Sequence, residues 1–398
     1  MRVVLYNPHR IWFLRTVRAY LEGYKGIGKY DYIFNYIYNS NKHIYILNDK
    51  NFKSNIFKTL RFFNSYKLEF KLWCLFNKLD FNKFIFVDDL QSFTKDDSFF
   101  SFYHGNFNTD NIELEKDLKN AKLIKIVHMS HFAYNISKGS KSLRNSDIDV
   151  FLYESDLLKN QFFNKYFSWF KGKSDILPFI PSIRFKVLRP FDLRQDICLA
   201  SGTIAEVDEI DFVSFFKTKY LQPLRKVIYD QRKTIENYIF SIIDPISNEA
   251  YNPNIFGAIK YDIKSISIIF KKKFGLKVRE FYNHRSYYKL DIVDLFNNYK
   301  FSVIPEEIIG IPGISFVESM SCGNLYFGVL NHFYEDIGLI NGIHYVSYDG
   351  SLEDLIIKIK YYQVNLNEAE KIAANGLNFV NENFTIEKSI EILKKYIK

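Results

Sequence analysis

Residues Pro305 to Gly328 read PEEIIGIPGISFVESMSCGNLYFG, and their order decides the fold. A short apolar run, Phe301 to Ile304, leads into them as a buried strand. Pro305 and then Gly310, Pro312 and Gly313 break the backbone before a helical period begins. Ile314, Val317 and Ser321 share one helix face at i, i+3 and i+7, with Glu318 beside them at i+4. Gly323 is placed to close that helix as its C′ residue, and Leu325 to Val329 reads as the next strand. The unit is strand, glycine-rich turn, helix, strand. Such a helix N-terminus presents amides and a positive dipole end, a setting for phosphate.

Outward from this unit, strand-like runs recur at Arg2–Asn7, His43–Leu47, Phe84–Val87, Phe99–Tyr103, Leu123–Val127 and Val150–Tyr153. A second series starts at Asp196–Ser201 and continues at Lys277–Tyr282 and Phe301–Ile304. Helical patterns fill Tyr30–Tyr38, 210–235, 255–274, Ser351–Tyr362 and Asn367–Lys398. Strands alternating with helices predict parallel sheets built from βαβ units. Between the two series, Pro178, Pro181 and Pro190 interrupt any period. The expected organisation is α/β: a first domain over 1–175, a linker over 176–195, a second domain over 196–375 and a helical tail over 376–398.

The 305–328 stretch resembles the donor-binding signature of retaining, nucleotide-sugar-dependent glycosyltransferases of the GT-B fold, most like family 4. That signature is a Glu, a Gly-Phe-Gly-Leu-like turn, a second Glu after seven intervening residues, then Ala-Met-Ala-x-Gly. Gly313-Ile314 matches the turn and Glu318-Ser319-Met320-Ser321-Cys322-Gly323 the second half. The resemblance implies two Rossmann-like domains facing across a cleft, with the terminal helix crossing back onto the first. It also implies that Glu318 binds the ribose hydroxyls of the donor, with Gly310, Gly313, Ile314 and Ser315 around it. This chain departs from the signature where the first Glu should stand, because that position is Gly310. Glu306 or Glu307, three or four residues upstream, is left to reach the sugar, and Glu307 joins the catalytic candidates. Family members carry an Arg and a Lys after the first strand of the second domain. Here the loop Ser201–Glu209 holds no cation. The cation for the diphosphate stays open between Arg285, Lys289 and residues elsewhere, with Ser201, Gly202 and Thr203 as hydrogen-bond donors. Arg285 follows the Lys277–Tyr282 strand, ligands bind beyond strand carboxyl ends in such sheets, and an Arg fork grips phosphate bidentately.

In the first domain, the resemblance places a sugar-contacting His in a loop comparable to Ile126-Val-His128-Met-Ser-His131. His128 is the catalytic candidate. His128 and His131 also have the spacing of a metal pair, yet no third ligand accompanies them, and a satisfied structural His is the bland reading of each and slightly the favoured one. His104 has similar standing. Gly26 and Gly28 lie in the glycine-rich loop where acceptor and donor phosphate meet in such enzymes, and Ser155 matches the residue that caps the helix after the domain's last strand.

Composition sets limits. The 398 residues exceed what one core usually holds, and 47% hydrophobic with 25% charged is ordinary for a globular chain. The net charge of +9 favours anionic partners. No run reaches the roughly 18 apolar residues of a membrane span, and MRVVLYNPHRIW enters a strand without a signal-peptide core. Cys74, Cys198 and Cys322 are far apart, which predicts a reducing compartment. Asp147-Ile-Asp149 precedes its strand and reads as a solvated turn rather than the metal motif of a GT-A transferase. No phosphate loop of the Gly-x-x-x-x-Gly-Lys-Ser/Thr type and no Gly-x-Ser-x-Gly elbow occurs. The expectation is a cytoplasmic, metal-independent, hexosyltransferase-like enzyme without a cofactor beyond its donor. Its acceptor would be a lipid-linked or polysaccharide intermediate of a bacterial surface glycan, met by peripheral contact at the inner face of the plasma membrane. The basic charge is dispersed, so nucleic acid is not an expected partner. A nucleotide-sugar epimerase and an inactive GT-B binding or scaffold module are the rival readings.

Overall fold

The structure is a computed structural model and describes residues 2–6, 30–48, 66–76, 78–108, 111–245 and 290–397. Among the described residues, seven parallel strands form the first sheet: β1 (Val3–Leu5), β2 (Ile44–Leu47), β3 (Phe84–Val87), β4 (Ser98–Ser101), β5 (Ile124–His128), β6 (Val150–Tyr153) and β7 (Lys173–Ile176). Their order is β3-β2-β1-β4-β5-β6-β7, so the winding direction reverses between β1 and β4. Helices cover both faces of such a sheet. The Ser98–Ser101 strand is accordingly buried at every residue, serines included.

The second sheet holds β8 (Gln195–Ala200), β10 (Ile239–Ser241), β12 (Tyr299–Val303), β13 (Leu325–Val329) and β14 (Val346–Tyr348), in the order β10-β8-β12-β13-β14 and all parallel. A small ladder pairs β9 (Thr203–Ile204) with β11 (Asp244–Pro245). Phe301, Val303, Leu325 and Phe327 bury one face of this sheet with Leu355, Ile359 and Ile372 from the helices behind it. Residues Ile44–Leu47, Phe84–Val87, Val150–Tyr153 and Leu325–Val329 thus form strands where their apolar runs predict them.

The tail crosses back onto the first sheet. Thr385 accepts a bond from Lys388 N at 3.3 Å and so starts the Ile386–Lys394 helix. Leu393, Tyr396 and Ile397 then join the Ile33, Ile37 and Phe100 core. Ser98 Oγ donates to the Tyr396 carbonyl at 2.7 Å, and Tyr396 Oη donates to Asp175 Oδ2 at 2.7 Å.

The two domains also meet directly. Phe162 packs on Phe212, Phe215 and Phe216 at 5.9, 5.1 and 4.8 Å between ring centroids. The Asp336 carboxylate, its side chain 1% exposed, pairs with Lys159 and accepts from Asp156 N at 3.2 Å and from His332 Nδ1 at 2.8 Å. Burial opposes its charge, but Lys159 and His332 more than offset that and hold its pKa below the usual value.

Two local expectations are corrected. Ser155 is buried and caps nothing; Asp156 accepts from Leu158 N and Asn160 from Phe163 N, so the longer polar side chains just downstream take the capping work. The 210–235 run is not one helix. It breaks into Ile210–Phe216 and Pro223–Gln231, because Lys217 turns left-handed at φ 57° and Pro223 opens the second helix. The predicted 255–274 helix and Lys277–Tyr282 strand lie outside the described residues.

Candidate active site between the domains

Beyond the carboxyl end of β12 the chain makes a tight turn. Glu307 N donates to the Ile311 carbonyl and Gly310 N to the Glu307 carbonyl, both at 2.7 Å. Gly310 sits at φ +91°, a conformation that side chains oppose, so the position where a glutamate was expected is a turn residue with no side chain to offer. Its carbonyl accepts from Asn331 Nδ2 at 3.1 Å.

The two neighbouring glutamates part ways. Glu306 points inward and is 7% exposed. It accepts from Val329 N at 2.8 Å, from Tyr348 Oη at 3.3 Å and from Tyr334 Oη. Burial pushes its pKa up against the pull of those donors. Glu306 therefore ties the ends of β12, β13 and β14 together. Glu307 points the other way, toward the first domain, with its Oε1 4.0 Å from His131 Nδ1. His131 holds a left-handed φ of 57° in the loop after β5.

The Ser315–Ser321 helix follows Gly313 and is seven residues long. Its first bonds run from Phe316 N to Gly313 O and from Val317 N to Ile314 O, each at 3.1 Å. Gly323, at φ +76°, closes it in the C′ role expected from the sequence. Ser315 Oγ donates to Glu318 Oε2 at 3.0 Å. Glu318 is half-buried, and burial lifts its pKa to about 7 against the opposing effects of Ser315 and Arg184. Arg184 belongs to the segment joining the domains.

Sequence reasoning left the cation of this region open, and the structure supplies one it missed. Arg225, 5% exposed on the Pro223–Gln231 helix, donates Nε to the Pro305 carbonyl at 2.8 Å and Nη1 to the Thr203 carbonyl at 2.9 Å. The guanidinium lies so close over Gly202 that a Cβ there would meet it at 2.8 Å, and its Nη2 is 3.7 Å from where a Gly313 Cβ would be. Gly202 at φ +134° and Gly313 thus flank one buried cation at the carboxyl ends of β8 and β12. Beside it Ser201 is fully buried, and its Oγ has no hydrogen-bond partner among the described residues. The signal was present in the sequence: Leu221, Arg225 and Ile228 fall at i, i+4 and i+7, an Arg where the period calls for an apolar residue.

On the first domain's side, His128 ends β5 and is buried, its Nδ1 accepting from Ser130 N at 3.2 Å and its ring 4.3 Å from that of Tyr30. Tyr30 Oη donates to Glu154, which follows β6. His104 is a structural residue, its nitrogens 2.9 Å from Ser130 O and 3.2 Å from Tyr134 O. No cluster of three metal-ligating side chains exists among the described residues. Asp147 and Asp149 lie 3.8 Å from Lys125 Nζ before β6, at the opposite sheet edge from the site. Gly26, Gly28, Arg285 and Lys289 lie outside the described residues.

No protein-family model and no curated protein matches the chain. Solved structures do. The chain is similar to HepE from Anabaena, solved with UDP and glucose, at 12% identity and a TM-score of 0.50, over 99% of this chain and 98% of that one. Sucrose-phosphate synthase from Thermosynechococcus elongatus gives 12% identity and a TM-score of 0.53, with 99% and 98% covered. A glycosyltransferase from Rickettsia africae gives 14%, 0.50, 99% and 97%. With its two parallel sheets and its returning tail helix, the chain has the GT-B fold of these glycosyltransferases.

Proposed function

We propose that this protein is a glycosyltransferase that moves a sugar from a nucleotide-diphosphate donor to an acceptor hydroxyl. One observation carries the reading: the buried Arg225 guanidinium lies between the Gly202 and Gly313 turns at the carboxyl ends of β8 and β12, and the helix that follows Gly313 carries the half-buried carboxyl of Glu318. That pairs a cation for a diphosphate with an acceptor for a diol. Support comes also from HepE, a protein of the same fold solved with UDP and glucose.

Each residue then has a task. Arg225 stabilises the negative charge that grows on the departing diphosphate, usually the largest catalytic contribution. Gly202 and Gly313 let backbone approach the phosphates, and Ser201 Oγ supplies a hydroxyl there. Glu318 accepts from the ribose hydroxyls. Glu307 and His131 face the sugar and the incoming hydroxyl from opposite domains, with His128 behind them. The reaction proceeds with retention, the leaving phosphate itself assisting the acceptor hydroxyl, and needs no metal. The acceptor is a lipid-linked or polysaccharide intermediate of a surface glycan, consistent with a basic chain.

Transfer from radiolabelled UDP-, GDP- and ADP-sugars to a mixed glycolipid extract tests the reading. Turnover of one donor that Arg225→Ala abolishes supports it, and an inverted product anomer would refute retention. Absence of turnover with any donor, together with no nucleotide binding, would refute the enzyme.

A further inference from the structure

The segment that joins the two sheets is not an idle connector. Residues Ile183 to Leu193 read IRFKVLRPFDL. Ile183 is 96% exposed, Leu193 67%, Leu188 53% and Val187 45%. Arg184, Lys186 and Arg189 are exposed between them, and Asp192 is the one acid in the run. The backbone is pinned nonetheless. Asn297 Oδ1 accepts from Leu188 N at 2.7 Å and Arg189 N at 3.3 Å, while its Nδ2 donates to the Lys186 carbonyl at 3.1 Å. Phe185 is buried against Phe296, and buried Arg194 donates to the Arg189 carbonyl at 2.7 and 3.0 Å. A rigid ridge therefore holds apolar side chains out in water with cations interleaved.

We infer that this ridge is a docking surface for an anionic lipid bilayer. Apolar side chains enter the headgroup boundary while adjacent Lys and Arg meet anionic lipid, and neither element is sufficient alone. Charge separates this face from a second exposed apolar stripe among the described residues, Ile357, Tyr361 and Val364 on the Leu352–Val364 helix. That stripe lies among Glu353, Asp354, Lys358 and Lys360, and Tyr361 donates to Glu368 at 2.9 Å, so it offers no surplus positive charge. Arg184, the second residue of the ridge, acts on Glu318 through its charge. Docking would hold the mouth of the proposed donor site against the membrane, where a lipid-linked acceptor resides. That consequence rests on the glycosyltransferase reading; the docking itself does not.

Vesicle flotation of the full chain tests it, with phosphatidylcholine alone and with added phosphatidylglycerol. The wild type is expected to float with the anionic vesicles and not with the neutral ones. Ile183→Asp/Leu188→Asp/Leu193→Asp and, separately, Lys186→Glu/Arg189→Glu are expected to weaken binding roughly tenfold or more. Ile357→Asp/Val364→Asp should bind as the wild type does. Calorimetric nucleotide binding, read on the same preparations, reports an intact fold and a working donor site independently of lipid. Equal flotation with both vesicles, ridge variants that bind undiminished, or loss of binding in the Ile357/Val364 variant would overturn the assignment. So would ridge variants that split a wild-type dimer in sedimentation, which would give the ridge to a second copy of the chain.

Discussion

Arg225 donates its Nε proton to the carbonyl oxygen of Pro305 at 2.8 Å, which fixes a buried cation beneath the turn that opens the 305–328 stretch. A second bond from Nη1 to Thr203 O at 2.9 Å ties the same guanidinium to the loop after β8. Arg225→Ala removes both and leaves two carbonyls short of a donor. The expected loss in chemical denaturation is about 2–3 kcal/mol. Arg225→Lys keeps the charge but not the planar fork and should recover only part of it. In calorimetry both variants are expected to lose affinity for UDP roughly tenfold or more while uridine binding is unchanged. Equal losses for UDP and uridine would contradict a phosphate role.

Glu318 titrates near neutrality. Burial raises its pKa from 4.5 to about 7, so near neutrality the carboxyl is partly protonated. Ribose hydroxyls donate to the ionised form, so nucleotide binding should expel a proton and tighten as pH rises through about 7. The heat of binding is then expected to depend on the ionisation heat of the buffer in the wild type and not in Glu318→Gln. Stability has the opposite sign. A carboxyl raised in the folded state contributes fully below about 4.5 and loses that contribution as pH rises through about 7. Glu318→Gln should therefore gain on the wild type across that window, by up to about 3 kcal/mol.

Glu306 is expected to matter for the fold before it matters for chemistry. Glu306→Ala leaves the Val329 N–H without its acceptor and the buried Tyr334 hydroxyl with the Tyr326 hydroxyl alone, at a cost of about 2–4 kcal/mol. Tyr348→Phe loses only a 3.3 Å contact and should cost under about 1 kcal/mol. Thermal denaturation ranks the three proteins.

Gly310 offers a cleaner test of why the expected glutamate is absent. A Cβ there would meet its nearest atom, Asn331 Nδ2, at 3.6 Å, so space is available and the penalty lies in φ +91° alone. Gly310→Ala and Gly310→Glu should each lose about 1–2 kcal/mol, equally, with no gain in donor affinity for the glutamate. Tighter donor binding by Gly310→Glu would contradict the turn role.

Much of the frame was legible because buried parallel strands demand continuous apolar runs, as Leu325–Val329 and Val150–Tyr153 show. Gly323 was legible as well, since a helix end with φ +76° favours that residue. Contacts between distant segments were not. Arg225 reaches carbonyls at Thr203 and Pro305, and His131 meets Glu307 from the other domain; no local period encodes either approach. Ser155 misled because Asp156 and Asn160 stand just after it as competing caps. The choice between Glu306 and Glu307 turned on which way two adjacent side chains point, and only the packing of Tyr334 and Tyr348 decides that.

The proposed nucleotide-sugar site needs both Arg225 and Glu318. Calorimetric titration of UDP, GDP, ADP and CMP into the wild type, Glu318→Ala and Arg225→Ala tests it most directly. The wild type should bind one nucleoside diphosphate tightly, and both variants should bind it roughly tenfold or more weakly. Wild-type protein that binds none of the four, or variants that bind as tightly as the wild type, would contradict it.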